Sequence, residues 1–232
     1  MSYNNGPKIN TTGLIVCLDP RNSKSYPGSG TTVYDLSGQQ NHFTLQDSSA
    51  FIAGENVFRF TYGGTNWLER STLLTGFTAG SLSAYSFAAY VKITDASTGR
   101  FFSHDNLGQD TTNRLNYYLA PTNISGEKNN VFGFSSGLST LTVTNNWAFF
   151  GGTLNAYTST MYRGTTTNRF EVGTMQTFPS SSPEIGSYTL IGRRGVDTNF
   201  GGDIGLFMIY NKALTAAEMF QTFTGTRARY GI

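Results

Sequence analysis

Short runs of alternating apolar and polar residues, each cut off by a Gly, Asn, Ser or Thr turn, recur along the chain. The clearest is 86–93, where Phe87, Ala89, Val91 and Ile93 fall on one side and Ser86, Ala88, Tyr90 and Lys92 on the other. Period two with one apolar side is the pattern of a strand laid on a sandwich core. Shorter runs of the same kind lie at 57–62, 115–119, 131–134, 147–150, 158–162, 188–191 and 204–210. Turn signals separate them at 27–30, 62–65, 144–146 and 163–164; glycine supplies the positive φ that tight turns need, and asparagine tolerates it. The 27 glycines among 232 residues exceed the usual share of about 7%. Many short strands with regular turns predict an all-β sandwich or barrel, a class that runs to this length as one domain.

One helix is marked within the β pattern. Thr215 and Glu218 have capping-box spacing, and Leu214 with Met219 makes a hydrophobic staple. Met219, Phe220 and Phe223 are predicted to face the sandwich, with Gly225 as the stop.

Charge excludes several functions. Only 13% of residues are charged, and 16 basic against 14 acidic residues leave a net charge of +2. The surface is therefore predicted to be rich in Ser, Thr, Asn, Gln and Gly. Nucleic-acid binders carry a clustered basic stripe, whereas Arg193, Arg194, Arg227 and Arg229 are scattered. Cys17 is alone, so no internal disulfide forms; its apolar run 14–18 reads as a buried strand. The first ten residues have no apolar signal region and no stretch is long enough to span a membrane, so synthesis in a cytoplasm without a signal peptide is expected.

Catalytic chemistry has little support. Glycoside hydrolysis needs two carboxylates flanking the scissile bond. The acidic residues here are dispersed, and Asp105 and Asp110 read as loop residues. His42 and His104 are read as strand-terminal, hydrogen-bonded surface residues. No Cys or His spacing suits zinc, and no phosphate-cradling loop is present. Sugar recognition uses aromatic platforms and polar amides in loops. Trp67, Tyr117, Tyr118 and Asn199 are the candidates for it, Trp67 being also readable as the start of a packed strand. Trp147, heading an apolar strand, is assigned to the core.

Three stretches carry a resemblance. They are 13–19 followed by 34–41 (YDLSGQQN), 85–92 (YSFAAYVK), and 190–192 followed by 200–218 (FGGDIGLFMIYNKALTAAE). Together they resemble the laminin-G/concanavalin A-like lectin-glucanase jelly rolls, over about 13–223. Two positions depart from that family's pattern: Gly205 stands where an Asp is common, and Tyr90 where a Trp is usual. The resemblance implies a concanavalin A-like two-sheet jelly-roll sandwich with one short C-terminal helix, occupying 13–232 behind an N-terminal arm, 1–12. It also implies one structural calcium ion, for which Asp19 and Asp203 are the matching positions; the plainer alternative has Asp19 making a turn and Asp203 capping a strand.

More narrowly, 25–32 and the closing 229–232 resemble stand-alone modules of tailed phages, including those of cyanobacteria. That resemblance implies a non-enzymatic virion structural protein, as capsid decoration, fibre or tail-associated adhesin, forming a homo-oligomer and packing on capsid or tail proteins. The alternative is a carbohydrate-binding module recognising a host surface glycan. Neither nucleic acid nor membrane is an expected partner.

Overall fold

The computed structural model describes residues 8–78, 84–95, 99–105, 115–120, 123–128, 131–135, 138, 144–165, 169–177, 187–193 and 199–232. The strands in chain order are β1 (Leu14–Leu18), β2 (Thr32–Val33), β3 (Phe43–Leu45), β4 (Phe51–Ile52), β5 (Val57–Phe60), β6 (Leu68–Arg70), β7 (Ala84–Ile93), β8 (Gly99–Asp105), β9 (Leu115–Ala120), β10 (Asn123–Lys128), β11 (Val131–Ser135), β12 (Trp147–Asn155), β13 (Thr158–Gly164), β14 (Phe170–Val172), β15 (Gln176–Thr177), β16 (Tyr188–Ile191) and β17 (Gly202–Tyr210); helix α1 is Ala216–Thr226. Paired strands run antiparallel in two sheets. One has the order β14-β13-β12-β7-β17-β5-β4, with β1 also on β17 and β15 on β13; the other is β11-β10-β9-β8-β16-β6-β3-β2. No helix among the described residues is long and apolar enough to cross a membrane.

The expected alternation in β7 is present, but both of its faces are buried. Phe87, Ala89, Val91 and Ile93 join Phe101, Phe102, Tyr117 and Ile191 in the core between the sheets. Ala88 and Tyr90 join Phe149, Leu206, Met208 and Tyr210 in a second core on the outer face of the nine-stranded sheet. Met219, Phe223, Tyr230 and Ile232 cover that second core, so the protein has three layers. Cys17 lies in it too, where burial pushes the thiol up to about 12 and keeps it protonated.

The capping box forms as predicted. Thr215 Oγ1 accepts from the Glu218 N–H at 3.2 Å and Glu218 Oε2 accepts from the Thr215 N–H at 2.9 Å. With Lys212 Nζ 2.7 Å away as well, the Glu218 carboxyl is held down at about 2. Two details differ from expectation. Phe220 is largely exposed, because the buried face is Met219, Thr222, Phe223 and Thr226, at helical spacing. The chain also passes through Gly225 in helical form and stops at Gly231, whose φ of 71° is the left-handed conformation glycine adopts freely. Residues ahead of β1 lie on this helix: Asn10 Nδ2 donates to Glu218 Oε1 and Gln221 Nε2 to the Lys8 carbonyl, both at 2.8 Å.

The two departures from the family pattern form one device. Between β17 and β7 the register shifts from Ile204↔Val91 to Phe207↔Ala89, so Gly205 and Leu206 together oppose Tyr90. Such a bulge leaves a ladder amide unpaired. Here the Tyr230 hydroxyl takes it, accepting from the Leu206 N–H at 2.6 Å. The Tyr230 ring stacks on Tyr90 at 4.1 Å. A Cβ at position 205 would stand 2.5 Å from the Tyr230 ring, so glycine is what lets the ring lie down. Tyr90 in turn donates to the Phe223 carbonyl at 3.0 Å.

Candidate functional site

The outer face of the eight-stranded sheet carries the most ligand-like group of side chains. Register places Thr44, Glu69, Leu190, Ser103 and Asn116 in one cross-strand row over β3, β6, β16, β8 and β9. Their neighbours Leu68, Ile191, Phe102 and Tyr117 point into the inter-sheet core, so the row lies on the opposite face, where Leu190, Ser103 and Asn116 are buried and the Thr44–Glu69 end is open. At about 4.8 Å per strand, Glu69 to Asn116 spans roughly 14 Å.

Trp67 stands two residues before Glu69 and shares its face. Its Nε1–H donates to Glu69 Oε2 at 3.0 Å, and Gln46 Nε2 reaches the same oxygen at 3.4 Å. The Arg193 guanidinium lies over the Trp67 ring, 3.9 Å from its centre, a cation–π stack. Arg193 gets there because Gly192 turns the chain after β16 at φ 86°, and Ser103 Oγ donates to the Arg193 carbonyl at 3.2 Å. Among the described residues no carboxylate pairs with Arg193, and its Nε has no hydrogen-bond partner.

Farther along the same face, Tyr118 lies two residues from Asn116 with the Arg100 guanidinium 4.7 Å above its ring. Asn116 is fully buried, and neither its amide oxygen nor its nitrogen has a partner among the described residues. Native structures rarely leave such groups unpaired, and each instance calls for a reason.

The sugar-binding candidates therefore separate. Trp67 and Tyr118 both lie on this outer face, Trp67 half-buried and Tyr118 buried at 8% exposure. Tyr117, adjacent to Tyr118, alternates inward and stacks on Phe102 at 5.7 Å inside the core, leaving no face for a ligand. Asn199 is buried and holds the loop before Trp67 by donating to the Gly64 and Asn66 carbonyls at 2.7 and 3.2 Å. Arg193 and Asn116 were missed in the sequence reading, because one read as scattered charge and the other as an ordinary strand residue.

The calcium positions hold protein cations instead. Asp203 is fully buried in a cross-strand ladder, Arg59–Asp203–Lys92. It takes Arg59 Nε at 2.6 Å and Lys92 Nζ at 2.7 Å, and Glu55 binds the same two cations at 2.8 and 3.3 Å. Asp19 pairs with Arg229 at 2.8 Å and accepts the Arg21 N–H at 3.1 Å, the latter making the turn. Two spoken-for carboxylates do not fit an ion that wants six to eight oxygens. Among the described residues no group of three or more His, Cys, Asp or Glu side chains could hold a metal.

Three other expectations change. His104 is fully buried rather than at the surface, ringed by Phe77, Tyr85 and Phe102, with Nδ1 3.0 Å from Thr189 Oγ1. Burial pushes its pKa down to about 3, so it is neutral. Asp105 ends β8 rather than lying in a loop, and Asp110 is outside the described residues. Trp147 is half-buried on the outer face of the nine-stranded sheet, against Tyr230 at 4.9 Å.

No protein-family model and no curated protein matches the chain. Solved structures do. The ligand-binding domain of botulinum neurotoxin serotype D, in complex with N-acetylneuraminic acid, is similar with a TM-score of 0.61 at 17% identity, over 95% of this chain and 54% of that one. A Trypanosoma rangeli sialidase gives 0.61 at 14% identity, over 94% and 33%. An arabinofuranosidase complexed with arabinofuranosyl-α-1,2-xylobiose gives 0.61 at 16%, over 86% and 51%. The chain thus spans between a third and about half the length of these proteins. At such identities the likeness establishes the fold alone: the chain is a two-sheet, lectin-like β-sandwich with one short C-terminal helix.

Proposed function

We propose that the protein is a non-catalytic carbohydrate-binding module whose ligand lies on the outer face of the eight-stranded sheet. The observation that carries this reading is the outward-facing Trp67, with the Glu69 carboxylate fixed on its indole N–H and the Arg193 guanidinium stacked above it. An aromatic body beside fixed donors and acceptors is the usual make-up of a small-molecule site. The comparisons lend support, since the toxin domain and the arabinofuranosidase are both described as complexes with sugars. Sialidase and arabinofuranosidase are enzymes. Glu69, the carboxylate among the described side chains of the row, is fixed on the Trp67 indole N–H, an arrangement suited to holding a sugar. A glycan array followed by calorimetry tests the proposal. Specific binding that Trp67→Ala abolishes in a folded protein is expected; silence across the array overturns it, and hydrolysis lost in Glu69→Gln would replace it with an enzymatic reading.

A second reading, self-association within a larger assembly, is favoured by one surface. β14 is an edge strand of the nine-stranded sheet. The Gly173 N–H and the Arg169 carbonyl bond inward to β13, so by alternation the backbone groups of Phe170 and Val172 face outward. Val172 is 52% exposed, and Phe220, 46% exposed, packs edge-on to Phe170. An apolar edge with no pairing strand among the described residues is a template for another strand, here that of a second copy of the chain. The virion role rests on the sequence resemblance alone. Mass spectrometry of purified phage particles tests it: stoichiometric copy number supports it and absence removes it.

A further inference from the structure

We infer that Arg193 makes this site selective for glycans bearing an anionic group, a carboxylate or a sulfate ester. The inference rests on the reading of this face as a glycan-binding surface. The Arg193 guanidinium lies over the Trp67 ring, 3.9 Å from its centre, which positions its N–H groups above the indole. Among the described residues they meet no carboxylate, and Arg193 is half-buried, so its charge is only partly solvated.

The near acidic group does not cancel this charge. Glu69 Oε2 is taken by the Trp67 N–H and by Gln46, and Glu69 and Arg193 form no ion pair. Glu69 Oε1 remains an acceptor for a sugar hydroxyl. The site therefore offers an acceptor at the N–H edge of the indole and a planar fork of charged donors over its face. A guanidinium fork matches the two oxygens of a carboxylate, or two of a sulfate ester, in parallel hydrogen bonds. A neutral hydroxyl uses the fork singly and leaves its charge unmet.

Three oligosaccharides of matched length separate the possibilities: a neutral galactan, a galacturonate and a sulfated galactan, each titrated calorimetrically at low and physiological salt. Binding of the galacturonate, the sulfated galactan or both at least tenfold tighter than the neutral chain is expected, with the margin shrinking as salt rises. Arg193→Gln is expected to remove that margin, weakening the anionic chains at least tenfold more than the neutral one, and Arg193→Lys to restore part of it. Equal affinity for all three, or a loss in Arg193→Gln that is the same for neutral and anionic chains, overturns the inference while leaving the glycan-binding reading intact. Binding of none overturns both. Circular dichroism and thermal melting of each variant confirm that it remains folded.

Discussion

A buried amide with no partner among the described residues is the sharpest residue-scale feature of the proposed site. Asn116 sits between Ser103 and the strand β10 with both polar atoms unspent. Leaving such a group unpaired costs about 1–3 kcal/mol, and an apolar side chain of similar volume removes the cost. Asn116→Leu is thus expected to raise the urea midpoint, and a lowered midpoint would show that the amide is paired in the native protein. His104 sets a pH dependence. Its folded pKa of about 3 lies below the ordinary value of 6.5, so the unfolded chain takes up the proton first and stability falls as pH drops between the two. By pH 4.5 the loss is about 2–3 kcal/mol, and His104→Gln is expected to flatten that part of a urea-midpoint profile. Adding or chelating calcium is expected to leave the melting temperature unchanged, because Arg59, Lys92 and Arg229 already occupy the carboxylates. Of these residues the sequence betrays little. Trp67 was readable as an aromatic beside a turn, but the cation above it comes from a loop far along the chain, and no local pattern tells Tyr118 from its inward-facing neighbour Tyr117.

Elements were more legible. The β7 alternation, the closing β17 run and the Thr215–Glu218 cap all follow from local periodicity and capping chemistry, which neighbouring residues alone determine. The second buried face of β7 was not legible. Ser86, Ala88, Tyr90 and Lys92 look like a solvent side until α1 and Tyr230 are laid over Ala88 and Tyr90. The bulge at Gly205 and Leu206 was visible only as a departure from a familiar pattern, and its reason is the distant Tyr230 ring. Removing that hydroxyl, as in Tyr230→Phe, strands the Leu206 N–H and is expected to cost about 1–3 kcal/mol in urea unfolding, with the ring stack kept. At the β14 edge, Val172→Lys is expected to shift a sedimentation profile towards monomer without changing the melting temperature; an unaltered profile would remove self-association through this strand.

As a whole, the molecule divides its labour by layer. The inter-sheet core and the helix-covered outer core account for most of the large apolar side chains, and the outer face of the eight-stranded sheet carries a polar and aromatic row, buried at Ser103, Asn116 and Tyr118 and open towards Thr44, Trp67 and Glu69. The fold class was readable at this scale, since strand count and turn spacing admit few alternatives; the third layer and the working face were not, because both depend on which side of each sheet is covered. Strand order has a further consequence, for how the chain is made. β17 lies in the middle of its sheet, with β7 along one side and β5 and β1 along the other. During synthesis on the ribosome, β1, β5 and β7 emerge well before the strand that joins them, and each waits with open edges. A nascent chain stopped short of Gly202 is therefore a client for holdase chaperones rather than a smaller version of the domain.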